Sequence, residues 1–281
     1  TYFQKEIELK FFEYYLKGAG DMNLPEANVF ETGSNKWTTY NTWPPKEVVQ
    51  QKWYFQGDGN IAQQTPDANA AIPARIYTSD PSHPVPYTED VHLHRTREYM
   101  TDDQRFAARR PDVLVYQTPV LGQSVTVTGP VTADLWVSLD DEGQAPRNAL
   151  LDVDLVVKII DVFPDTLKTS SNDVPLGGYQ MLVRGEIFRG RYRNSFEKPE
   201  GFDRSDPAHV RFELPDIAHT FLPGHKMMVQ IQSSWFPLAD RNPQQFVNIY
   251  EAQDADFIPL KVTIHQEAGM ASGVILPVLK K

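Results

Sequence analysis

Ser233, Ser234 and Asp240 fall close together in "SSWFPLADRNPQ" (233–244), and His225 opens the alternating run just upstream, "HKMMVQIQ". A serine, an imidazole and a carboxylate are the parts of acyl transfer through a covalent intermediate: nucleophile, proton acceptor, and the group that orients it. That chemistry also sets conditions on the backbone. In an α/β-hydrolase the nucleophile occupies G-x-S-x-G, because small flanking residues permit the strained elbow. Neither "ETGSNKW" nor "VLGQSVT" meets that pattern. Ser233 and Ser234 instead end a predicted strand, so this stretch reads as a strand terminus and Pro turn. Trp235 and Phe236 would anchor it in the core or a domain interface, while Asp240, Arg241 and Asn242 satisfy backbone groups in the turn.

Three other clusters could do chemistry. The seven histidines include "HLH" at 92–94, a two-apart pair that would share one face of a strand, with Glu89, Asp90 and Glu98 nearby as further metal ligands. The plainer reading is two polar side chains on a partly exposed segment. "DLVVKIIDVFPD" carries Asp154, Asp161 and Asp165 around an apolar centre; paired carboxylates can do acid–base work or hold calcium. Asp161 and Asp165 flank "VFP", where Asp commonly caps a turn, and turn chemistry is the reading adopted. "RGRYRN" (189–194), with Arg184 upstream, could hold a carboxylate or phosphate, but in an acidic chain it is expected to pair with surface acids.

The elements that would carry these groups are mostly strands. A helix is predicted over 2–17, with Phe3, Ile7, Phe11, Tyr14 and Tyr15 at three- and four-residue spacing, stopped by Gly18 and Gly20. Val29–Thr32 reads as a short strand before a Gly-Ser-Asn turn, and "KWYFQGDG" as another before an Asp-Gly turn. Residues 60 to 88 are polar and Pro-rich, an irregular connection of the length that is functional or wraps a neighbouring domain. From 111 on, "VLVYQ", "SVTVTG", "ADLWVSLD", "DVDLVVKIIDVF", "YQMLVRGEIF", "HVRFELP", "KMMVQIQSS", "VNIY", "KVTIHQ" and "GVILPVL" each read as a strand. Many strands without intervening helices predict a mainly β fold, a two-sheet sandwich or jelly roll. "LVVKII" is apolar almost throughout, as in a strand buried on both faces.

Composition narrows the function classes. The 281 residues carry a net charge of −10 without a clustered basic face, which disfavours nucleic acid as a partner. With no cysteine, disulfides, thiolate metal sites and cysteine nucleophiles are excluded. No apolar run reaches the roughly 20 residues of a membrane helix, and the N-terminus has no signal-peptide pattern. It starts without Met and already inside an amphipathic repeat, as the C-terminal part of a longer chain would.

The motifs "RRPDVLVYQTPVL", "VTVTGPVTADLWVSLD", "DLVVKIIDVFPD", "FLPGHKMMVQIQSSWFPLADRNPQ" and the closing "GVILPVLKK" resemble, in that order, the C-terminal jelly-roll domain of the X-Pro dipeptidyl peptidase and cocaine esterase superfamily. "YFQKEIELKFFEYYLKG" and "PVPYTEDVHLHRTREYMTDDQRFAARRPDVLVYQ" look most like α-amino acid ester hydrolases and glutaryl (cephalosporin) acylases. The resemblance covers essentially the whole chain. It implies a galactose-binding-domain-like jelly-roll β-sandwich over 51–281, including the long connection 58–110, preceded at 1–50 by the last helix and strand of an α/β-hydrolase domain.

It further implies a serine hydrolase acting through an acyl-serine on esters or amides of α-amino acids or β-lactam antibiotics. The Ser-Asp-His triad would lie in the α/β-hydrolase domain and the acidic cluster that binds the substrate's amino group in the cap, so no catalytic residue is carried over. Residues around "TEDVHLHRTREYM" line the pocket mouth in such relatives, which makes Val91, Leu93 and Tyr99 the candidate substrate contacts, while Asp103-Gln104-Arg105 would serve interdomain packing. The implied partners are the α/β-hydrolase and cap domains, a small ester or amide substrate and further copies of the chain; no cofactor, metal, membrane or nucleic acid is called for. The resemblance favours periplasm or secretion over cytoplasm. The alternative is a stand-alone carbohydrate-binding or oligomerisation sandwich, with Trp43, Trp53 or Trp235 stacking on a sugar ring.

Overall fold

The computed structural model describes residues 1–67, 73–94, 96–168 and 175–280. The predicted N-terminal helix is present, π-wound over Phe3–Glu8 and α-helical as α1 over Leu9–Lys17. Gly18 ends it in the left-handed conformation, φ 63°, and returns its N–H to the carbonyls of Glu13 and Tyr14. A hairpin follows, β1 (Ala27–Glu31) against β2 (Lys36–Tyr40).

Two antiparallel sheets form the rest. The larger joins β3 (Val48–Phe55), β4 (Ile61–Ala62), β5 (Arg75–Ser79), β7 (Val125–Asp140), β10 (Ala208–Phe221), β12 (Leu260–Ile264) and β13 (Gly273–Leu279). The smaller runs in the order β6 (Leu114–Gln117), β11 (Lys226–Gln232), β8 (Asp154–Val162), β9 (Gln180–Arg189). A short helix, α2 (Arg105–Ala108), precedes β6. Between the sheets, Leu135, Val137 and Leu139 of β7 join Leu155, Val157 and Ile159 of β8 and Val229 and Ile231 of β11 in one core, which also holds the stacked rings of Phe55 and Tyr116. The mainly β jelly-roll sandwich with an N-terminal helix is therefore the fold.

Local departures from the sequence reading have physical causes. "SVTVTG" and "ADLWVSLD" are a single strand, β7, because partners on both edges absorb the disturbance at Gly129–Pro130. Opposite it, the register of β10 slips between Leu214 and Ile217 and that of β13 between Ile275 and Val278. A proline cannot donate to the ladder, so its neighbours bulge around it. Residues 60–88, expected to be irregular, contain β4 and β5. "VNIY" is not a strand: Asn248 accepts a bond from the Tyr250 N–H through its side chain, and Tyr250 is 93% exposed. Asn in that role makes a local turn that competes with a ladder.

β8 is the strand buried on both faces. One face looks into the main core. The other, carrying Asp154, Val156 and Lys158, lies under an outer layer formed by residues 85–94, 96–108 and 233–244. That layer holds the candidate site.

Candidate functional site

The loop bearing Val91, Leu93 and Tyr99 grows out of the outer layer, clipped at its start to the corner after β11. Tyr87 N–H donates to the Phe236 carbonyl at 2.9 Å, Phe236 N–H to the Val85 carbonyl at 3.0 Å, and Val85 N–H to Ser234 Oγ at 2.7 Å. Its far end returns through Gln104, whose N–H reaches the Gln180 carbonyl at 3.0 Å. Across the base, Thr96 N–H donates to the Tyr87 hydroxyl at 3.1 Å and Glu89 N–H to Asp102 Oδ2 at 3.3 Å.

The three candidate residues do not share one environment. Tyr99 turns inward; its ring centroid lies 5.5 Å from Tyr87 and 6.1 Å, edge to face, from Trp235, and all three pack over Val156. Val91 and Leu93 are 100% and 97% exposed, the apolar tips of an anchored loop. His92 and His94 lie between and beside them, also exposed, in a segment that is not a strand, so the shared strand face expected for "HLH" does not form. Among the described residues no group of three His, Asp or Glu side chains gathers as a metal site.

The serines of "SSWFPLADRNPQ" are structural. Ser233 Oγ meets the Tyr77 hydroxyl at 2.6 Å, and Ser234 caps Val85. The rest of the stretch does more than a turn needs. Arg241 donates to the Pro81 carbonyl at 3.0 Å and lies over the Phe257 ring. Asn242, buried, donates to Asp152 at 2.9 Å and Asp154 at 2.8 Å.

Those two carboxylates also receive the arginine cluster. Arg191 reaches Asp152 at 2.7 Å, and Arg189 bridges Asp154 at 3.1 Å and Asp240 at 2.8 Å. The expectation of surface partners for these arginines is corrected for the first two pairs, since Asp152 and Asp154 are buried. Burial pushes the Asp154 carboxyl up to about 6, against the opposing pull of Arg189 and Asn242. Asp161 also departs from its expected turn role. Fully inside, it contacts His225 at 2.9 Å and His219 at 3.3 Å, whereas Asp165 does lie in the turn.

One serine arrangement escaped the sequence reading because its members are far apart in the chain. Ser138 Oγ lies 2.9 Å from His265 Nε2, and His265 Nδ1 lies 3.0 Å from Glu267. Ser138 sits near the end of the β7 ladder, two residues before its last residue, and is paired with Thr263. Acyl transfer also needs converging N–H donors, and a paired ladder position does not itself supply them.

Lys158 and Gln104 were missed altogether as site residues. Gln104 is buried: its side-chain oxygen accepts from Lys158 Nζ at 3.1 Å, and its carbonyl accepts from Gln230 at 3.2 Å. Across from Lys158 on β9 stands Gly185. A Cβ there would come within 2.8 Å of the Trp235 ring and 3.3 Å of the Lys158 stem, so the ring or the stem would have to shift for any larger residue. Gly185→Ala is expected to destabilise the chain by about 1–3 kcal/mol in urea unfolding. An unchanged midpoint would show that the ring shifts freely.

Residues 19–274 match the family described as the X-Pro dipeptidyl-peptidase C-terminal non-catalytic domain. The chain belongs to that family. This C-terminal domain is 30% identical over 279 residues to the cocaine esterase of Rhodococcus sp. (strain MB1 Bresler), covering 96% of the chain and 45% of that protein. Two solved structures superpose with TM-scores of 0.88. One is an aminopeptidase from a marine sediment archaeon, Thaumarchaeota archaeon, 37% identical over 99% of this chain and 44% of its own. The other is an α-amino acid ester hydrolase labelled with selenomethionine, 35% identical over 99% of this chain and 45% of its own. The chain thus spans less than half the length of the relatives it matches.

Proposed function

We propose that this non-catalytic domain works as the C-terminal region of a serine hydrolase that cleaves esters or amides of α-amino acids or β-lactam antibiotics. An α/β-hydrolase portion with its cap supplies the Ser-Asp-His triad, and this domain covers it and shapes the pocket mouth. Residues 1 to about 50 are the last helix and strand of the hydrolase portion, and 51–281 the jelly roll. Further copies of the chain associate through the assembled enzyme.

One observation carries this reading: where the chain leaves large apolar side chains in water. They concentrate on the N-terminal helix, at Phe3, Leu9, Phe11, Phe12, Tyr15 and Leu16, and at the loop tip, at Val91 and Leu93. No residue of that helix is buried. Contiguous apolar surface of this kind marks a contact with another body. The 35% identity to an α-amino acid ester hydrolase supports the substrate class. The sugar-binding alternative loses two of its platforms, since Trp53 and Trp235 are buried, while the Trp43 indole donates to Asp216.

The test is a chimera joining this chain to the hydrolase and cap portion of that ester hydrolase. The chimera is expected to turn over phenylglycine methyl ester, whereas the 281-residue chain alone is not. Val91→Ala and Leu93→Ala should raise KM for bulky acyl groups severalfold in the chimera. In the isolated chain they should move stability by no more than about 0.5 kcal/mol, because both side chains already stand in water. Turnover by the isolated chain, or kinetic indifference of the chimera to both substitutions, would overturn the proposal.

A further inference from the structure

Lys158 occupies the centre of β8, completely buried, in a position that no role assigned above explains. Buried lysines are ordinarily paired with a carboxylate, and among the described residues this one has no ion pair within 4.0 Å. Its surroundings are a single amide oxygen, Gln104 Oε1 at 3.1 Å, and two aromatic rings, Trp235 with its centroid 5.1 Å from Nζ and Phe106 at 5.8 Å.

Among the described residues, the charged groups of the strands and segments packed against Lys158 are engaged elsewhere. On its own strand, Asp154 is held by Arg189 and Asn242. Across on β9 stands Gly185, with Arg189 at the strand end; across on β11 stands Gln230, with Lys226 at the opposite end. In the 101–108 segment the Asp103 carboxylate is taken by Arg105 and by Gln180 N–H, and Asp102 by Glu89 N–H. In the corner after β11, Asp240 pairs with Arg189 and Arg241 donates to Pro81. Tyr87 and Tyr99 pack against Trp235, and the Tyr179 hydroxyl donates to the Thr101 carbonyl.

The lids over Lys158 are the same segments that anchor the candidate loop. Gln104 closes the loop's far end on Gln180, and Trp235 holds Tyr99 and Tyr87 at its base. With both seated, Lys158 has no solvent exposure. We propose that Lys158 is a proton-linked latch: its neutral amine is compatible with the seated layer that carries Tyr87, Tyr99, Gln104 and Phe106, and taking up a proton shifts that layer toward an open, hydrated state. Burial lowers the amine to about 7, from an ordinary value of 10.5, which agrees with this geometry.

The sign follows from linkage. The closed layer binds the proton less well than the open one, so closure strengthens as pH rises from about 7 to about 10.5 and levels off below 7, where both states are charged. The latch rests on packing within this chain and does not require the hydrolase assignment.

Hydrogen exchange of residues 85–108, followed in the wild-type chain and in Lys158→Met at each pH, reads the latch directly. Taking the ratio of the two proteins removes the intrinsic pH dependence of exchange. Between pH 7.5 and 9.5 the protection of the wild type relative to the variant is expected to rise about tenfold per unit. A ratio that stays flat overturns the proposal. Because Lys158→Met could disturb the layer for other reasons, the wild-type chain labelled with 13C at lysine Cε gives a second measurement. Lys158 should titrate near neutrality, and a midpoint close to the ordinary lysine value of about 10.4 overturns the latch whatever the variant does.

Discussion

Asp152→Ala is expected to lower the unfolding free energy of the chain by about 3–5 kcal/mol, one of the two largest losses a single substitution should produce. Asp152 has no solvent exposure and serves three donors: the Arg191 N–H at 3.1 Å, the Arg191 Nε at 2.7 Å and the Asn242 amide at 2.9 Å. Truncation strands a buried guanidinium whose remaining partner is the Val247 carbonyl. The energy lost is mostly the penalty of that unpaired charge rather than the worth of the pair.

The network also ties three segments that the chain keeps far apart, the approach to β8, the end of β9 and the corner after β11. Thermal unfolding should therefore fall by on the order of 10 °C. The double change Asp152→Leu with Arg191→Met should do less damage than Asp152→Ala alone, since no charge is left behind. If the single substitution moves the urea midpoint by less than the equivalent of about 1 kcal/mol, the corner is not held in this way.

Trp235→Ala is expected to have an effect of similar size, about 3–5 kcal/mol, through a cavity rather than a charge. The indole is buried against Val156, Tyr87 and Tyr99, lies on Gly185, and faces the Lys158 amine. Removing it unseats the base of the candidate loop, so trypsin should cut at Arg97 or Arg105 well before it attacks the sandwich. Trp235→Phe, which restores most of the packed ring, should recover the greater part of the stability. Normal resistance to trypsin in the alanine variant would mean that the hydrogen bonds of Val85, Tyr87 and Phe236 hold the loop without the indole.

The two variants separate what could be read in the chain from what could not. Trp235 was legible as an anchor because a large aromatic beside a strand end and a proline is commonly a packed corner. Its target, a glycine on another strand, was not. Asp152 carried no signal at all, one acid among the 37 Asp and Glu of an acidic chain. Lys158 did leave a mark, the lone charge inside "LVVKII", but periodicity gives only the burial of that position. It does not tell whether a carboxylate waits opposite. In "HLH" the spacing was visible and the strand it presupposed was absent.

What the sequence determined by itself was the mainly β sandwich, the helix ahead of it, most of the strands and the absence of a nucleophile elbow. Those properties depend on neighbours a few positions away: alternation, punctuation by Gly and Pro, and caps. What only the tertiary structure decided was which residues of different strands meet. The fusion of two strands into β7, the pairing of Asp152 with Arg191, the inward turn of Tyr99 beside exposed Val91 and Leu93, and the sealing of Lys158 under Gln104 and Trp235 all arise from contacts between distant segments. Such contacts are set by sheet register and by the layer that closes over β8, and a side chain's charge or exposure follows from that layer rather than from its own position in the chain.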